Sequence, residues 1–165
     1  MPIRKTDKGW YWGNRGPFPT KAKAVQVGQA AHAHGFKEEA EMTDRTAEFV
    51  GTMLHSAVIT HIMHLSVKGT GSYAKHKALQ EYYEGIPDLV DSVAESIMGC
   101  YGEIITGYPA MYGSKESDPL SLMLSLRDYV VSARTEMPQE SQIQNEIDNI
   151  ASLIDSTLYR LRFLA

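Results

Sequence analysis

Sulfur chemistry is nearly absent from this sequence, because Cys100 is the single cysteine among 165 residues. That excludes an internal disulfide and a cysteine-cluster zinc site, and it leaves Cys100 reading as a small buried apolar residue. No run of about 18 or more uninterrupted apolar residues exists, so no segment is a candidate membrane-spanning helix. An apolar leader is missing too. The first residues, MPIRKTDKGW, turn polar and glycine-bearing at once, which predicts no secretory signal and a cytoplasmic product. No glycine follows Gly113, and eight of the thirteen fall before residue 72. What remains, 43% hydrophobic and 22% charged with a mean hydropathy of −0.28, is the composition of one globular domain of ordinary size.

Charge is divided unevenly. Residues 1–37 carry seven basic side chains against Asp7 alone, so of the net charge of −4 that arm holds +6 and the remainder −10. A basic arm on an acidic body suits a polyanion such as DNA, since phosphate contacts need only positioned cations. Within the arm, GWYWGNRGPFPT from Gly9 to Thr20 sets aromatic pairs around Gly13–Asn14–Arg15–Gly16 and predicts a small hairpin or an ordered aromatic turn. Thr20 then caps a short helix that ends at Gly35. Residues 1–42 thus form a basic aromatic arm, too small to hold a core alone.

Residues 43–165 read as helical. A first helix, capped by Thr43 or Asp44, runs to about Val67 and is broken by Lys68–Gly69–Thr70–Gly71. A second begins near Ser72 and stops near Gly99, with Pro87 inside it predicting a bend. Residues 100–117 are irregular, with a short helical piece around Tyr101–Ile105. Asp118–Pro119, a cap followed by proline in the first turn, opens a third helix to about Glu136. Pro138 opens a fourth, whose Ile143, Ile147, Ile150, Ile154, Leu158 and Leu161 recur at three- and four-residue steps. Connections that run short, long, short describe an all-α, ferritin-like four-helix bundle with one long crossover.

Histidine is where chemistry concentrates. His64 lies one turn before the first break and His76 one turn after it, so a tight antiparallel hairpin brings both imidazoles to one end of the bundle. Farther along the second helix, Asp91 and Glu95 are a carboxylate pair one turn apart. His76 and Asp91 are fifteen residues apart, about 22 Å at 1.5 Å per residue, too far to share an ion within one chain. A site using all four needs two subunits paired head to tail. The intra-subunit di-iron alternative needs Glu-x-x-His on two helices, and no such tetrad occurs. Gly69–Thr70–Gly71–Ser72 lacks the strand and the lysine of a phosphate loop.

The run His64-Leu-Ser-Val-Lys-Gly, then His76, Leu79, Asp91, Ala94-Glu95 and Gly99, resembles the Dps miniferritins, the DNA-binding proteins of starved cells. Their corresponding stretch reads His-Trp-x-x-x-Gly, a histidine twelve later, then Asp-x-x-x-Glu fifteen after that, and the spacing here matches without insertion. The resemblance covers residues 55–99. It implies a ferroxidase that oxidises Fe(II) with peroxide or oxygen, an iron-holding site of His64, His76, Asp91 and Glu95 at a two-fold interface, and a hollow dodecamer storing ferric mineral; His61, one turn before His64, reads as an extra ligand or as a support for the ligands. Two positions depart from the family, Leu65 for the usual tryptophan and Gln80 for a common acid, and loss of that acid weakens iron binding. Glu84 and Asp88 extend the acidic stripe. GWYWG and GPFPTKAKA look like short segments of tailed-phage proteins. The alternative reading is a non-catalytic phage structural or adaptor protein on the same bundle, and a third is a DNA-compacting protein without ferroxidase activity.

Overall fold

The computed structural model describes residues 3–12, 15–111, 113 and 116–165. The chain divides into two compact units, Met1–Glu41 and Met42–Ala165.

The first unit opens with a three-stranded antiparallel sheet in the order β1 (Ile3–Thr6), β2 (Gly9–Trp12), β3 (Arg15–Phe18). The hairpin expected over Gly9–Thr20 forms as the β2–β3 pair, and an unexpected strand, β1, adds to it with Arg4 opposite Tyr11 and Lys5 opposite Trp10. The Gly13–Asn14 turn lies outside the described residues. Pro17 fits β3 because that strand is an edge, where a missing N–H leaves no gap in a ladder. Cations cover the aromatic faces: the Arg4 guanidinium lies 5.4 Å from the Tyr11 ring centre, and the Lys5 and Lys21 ammoniums lie 5.6 and 5.8 Å from that of Trp10.

Thr20 caps the next helix as expected, its hydroxyl accepting from the Lys23 amide at 3.2 Å. That helix, α1, runs Lys21–Leu65, so neither Gly35 nor the Thr43–Asp44 cap interrupts it. One helical glycine costs only about 1 kcal/mol, and here it is flanked by the good helix formers of VGQAAHAHG and KEEAEM.

In the second unit, α2 spans Ser72–Tyr101 and remains one helix through Pro87. Gly102, at φ 74°, ends it in a left-handed C-cap whose N–H donates to the Met98 carbonyl, three residues beyond the stop expected at Gly99. The described residues between α2 and α3, 102–111, 113 and 116–118, form no helical piece, Ile105 included. Helix α3 (Pro119–Glu136) is capped by Asp118, which accepts from the Ser121 amide at 2.9 Å. Helix α4 is Ser141–Phe163, so Pro138 precedes it by more than the position expected. No described helix is long and apolar enough to cross a membrane.

The core of this unit draws on all four helices, through Phe49 and Met53, Leu79, Tyr82 and Ile86, Met123 and Val130, and the isoleucine stripe of α4. Tyr82 is fully buried, and desolvation pushes its phenol well above the usual range. Its hydroxyl donates to Ser56 Oγ at 2.8 Å, because Ser56 spends its own proton on the Met53 carbonyl at 2.6 Å. This bond fastens α1 to α2. Arg134 holds Asp148 through two bonds of 2.7 and 3.0 Å between α3 and α4. Two points after α2 touch α1: Pro109 lies against Gly51, and the Gly113 carbonyl accepts from His55 Nε2 at 2.9 Å. Cys100, expected to be buried, is exposed.

Candidate metal centre

Because α1 ends at Leu65 and α2 starts at Ser72, the corner between them is short and turns His64 towards His76. The two imidazoles stack with ring centres 3.6 Å apart and planes inclined by 28°. His64 is buried, and its Nδ1–H donates to the His76 carbonyl at 3.1 Å. With the proton on Nδ1, the lone pair of the neutral ring sits on Nε2, which is then the nitrogen able to bind a metal. His61, one turn earlier, is exposed and stacks on Tyr83 at 4.1 Å and 12°, while Tyr83 also meets the edge of His64 at 5.1 Å. The result is one cluster of three imidazoles and a phenol.

Sequence reasoning missed Tyr83 as a member of this cluster. Its spacing of seven residues from His76, which puts both on one face of α2, is the signal that could have found it.

Asp91 and Glu95 lie elsewhere. Both are exposed and border a cleft of about 330 Å³ shared with Leu54, Met98 and Tyr108. They occupy the same continuous helix as His76, so the separation of about 22 Å stands and one chain does not bring imidazoles and carboxylates together. Among the described residues no group of three or more His, Cys, Asp and Glu side chains is placed to hold an ion.

Along α1, Leu54 beside the carboxylate cleft, Val58, and Leu65 next to His64 are exposed, the last with 73% of its surface open, although all are large and apolar. An exposed apolar stripe with nitrogen donors at one end and oxygen donors at the other is self-complementary under a two-fold rotation. Gln80, which stands where the resemblance leads to an acid, accepts from Lys77 Nζ and donates to Glu84 Oε1, both at 2.8 Å. Glu84 is thereby tied along the helix and does not replace the missing acid. Imidazole nitrogens and carboxylate oxygens are together a donor set that suits Fe(II).

Residues 64–161 match the model of a family of unknown function, DUF5856. An uncharacterised 14.6 kDa protein of Enterobacteria phage T4 is 28% identical over 114 residues, 69% of this chain and 85% of the phage protein. The DNA protection during starvation protein of Helicobacter pylori strain J99 is 47% identical over 38 residues, which cover 23% of this chain and 26% of that protein. No solved structure gives a significant match.

Proposed function

The chain belongs to DUF5856, a family of unknown function, so its activity has to be argued from its own residues, and we propose that it is a Dps-like, ferritin-like ferroxidase subunit. Fe(II) is its substrate, held between two copies by His64 and His76 of one and Asp91 and Glu95 of the other, with His61 close by. Each Fe(II) gives up one electron and a peroxide takes up two, so one peroxide oxidises two ions. The carboxylates lower the charge of the bound ion and so favour the ferric product, and the His64 tautomer leaves the lone pair on Nε2. Ferric product collects inside a closed homo-oligomer, a dodecamer by analogy with the miniferritins. The basic sheet and the start of α1 give the assembly nonspecific affinity for DNA phosphates.

The observation that carries this reading is the stacked His64–His76 pair near one end of α2, the exposed Asp91 and Glu95 farther along it, and exposed apolar residues on α1. The short match to a DNA protection during starvation protein supports it further. Anaerobic addition of Fe(II) followed by peroxide tests it. We expect ferric absorbance to rise faster than in buffer and the particle to scatter light as a multimer, and a rate equal to buffer defeats the reading.

A second reading is a non-catalytic phage component on the same bundle. It is favoured by Gln80 and Leu65 at positions where the ferroxidase family has other residues, and by the phage T4 relative. Under it the chain assembles or docks through the same apolar stripe, and His64→Ala leaves iron oxidation at the buffer rate with or without the substitution.

A further inference from the structure

A second cleft opens beside the carboxyl end of α1 and has no part in the iron reading. It encloses about 460 Å³, within the range of small-molecule pockets. Ile59, Ile62, Met63 and Val67 give it apolar walls, and Lys68 and Lys75 stand at its rim. None of the histidines or carboxylates of the candidate metal centre lines it.

Two ammoniums and one carboxylate, that of Glu116, border this cleft, a balance of one positive charge. Among the described residues neither Lys68 nor Lys75 makes an ion pair, and Lys75 is half-buried. Glu116 also borders the cleft and has an interaction of its own. An anionic head entering the cleft can accept charge-assisted hydrogen bonds from both ammoniums. Apolar walls beneath two such cations call for a ligand with an apolar body and an anionic head.

We propose that this cleft binds a small amphiphilic anion, an aliphatic carboxylate whose chain lies on Ile59, Ile62, Met63 and Val67 and whose head meets Lys68 and Lys75. The site is independent of iron, so it stands or falls separately from the ferroxidase.

Calorimetric titration of the full chain with decanoate tests the proposal, with decanol as the uncharged control. We expect saturable binding of one decanoate per chain, and decanol weaker by at least about tenfold. A Lys68→Ala, Lys75→Ala double variant should lose at least about tenfold in affinity. Ile62→Asp, at an exposed rim position where folding is not at stake, should lose as much by setting a like charge beside the carboxylate. Unchanged circular dichroism certifies that each variant folds. Absence of saturation, equal affinity for decanol, or affinity untouched by both variants overturns the proposal. So does saturation that occurs only as the particle mass falls, since the cleft is then the seat of a second copy.

Discussion

Two inactivated copies should rescue each other. His76 and Asp91 lie fifteen residues apart on one unbroken helix, about 22 Å, so a site needing both ends of α2 takes them from different chains. In a two-fold pair there are two such sites, each with imidazoles from one copy and carboxylates from the other. Pair a His64→Ala chain with a Glu95→Ala chain. One site then lacks both groups and the other is intact. When equal amounts associate at random, about half the pairs are mixed and each mixed pair keeps one of its two sites, so about a quarter of the wild-type rate returns. The assay is the initial rate of Fe(II) oxidation by peroxide per chain, for each variant alone and for the two coexpressed. Glu95 is exposed and its loss leaves the core untouched, while His64 is buried and gives up its bond to the His76 carbonyl, so the helical signal of that variant is checked first. A coexpressed sample no faster than the mean of the two variants refutes the shared site.

The Ser56–Tyr82 bond predicts an asymmetry in stability. Tyr82→Phe removes a donor and strands nothing, at about 1 kcal/mol, whereas Ser56→Ala leaves the buried phenol unpaired at about 1–3 kcal/mol. Urea denaturation followed by circular dichroism compares them, and a larger loss for Tyr82→Phe contradicts the assigned direction of the bond. At the corner, a Cβ on Gly71 (φ 73°) would stand 2.5 Å from the Ala165 backbone, while one on Gly69 (φ 88°) would meet nothing. Gly69→Ala should therefore cost only the left-handed backbone penalty of about 1–2 kcal/mol and Gly71→Ala clearly more, and equal melting temperatures would reject the close approach. Hydrogen bonds from Arg134 hold the Asp148 carboxyl below its usual value. That stabilisation is present above the ordinary carboxylate pKa and is lost as pH falls through the lowered one, so from about pH 6 to about pH 3 the wild type should lose more of its urea midpoint than Asp148→Asn. Both side chains are largely open to solvent, which keeps the difference small, and parallel pH profiles would show that the pair contributes nothing.

Local signals were the legible ones. Asp118–Pro119 announced α3 because a cap and a first-turn proline act within four residues, and the isoleucines of α4 announced a buried face because their spacing needs no partner to be read. The approach of His64 to His76 needed only the shortness of the corner between them. Strand β1 stayed hidden because Ile3-Arg4-Lys5-Thr6 has one apolar residue and no alternation, its place being fixed by pairing with β2. Gly35 misled for the opposite reason, a strong stop signal outweighed by the helix formers around it. The carbonyl that sets the His64 tautomer and the ring that stacks on His61 are tertiary contacts, and no spacing rule encodes them.

Pro87 stands between the imidazole end and the carboxylate end of α2. It has no N–H to offer the Tyr83 carbonyl, and Tyr83 is the residue whose ring carries His61. The hydrogen-bond ladder of this thirty-residue helix is therefore one rung short midway between its two ends, and that is where it yields first when strained.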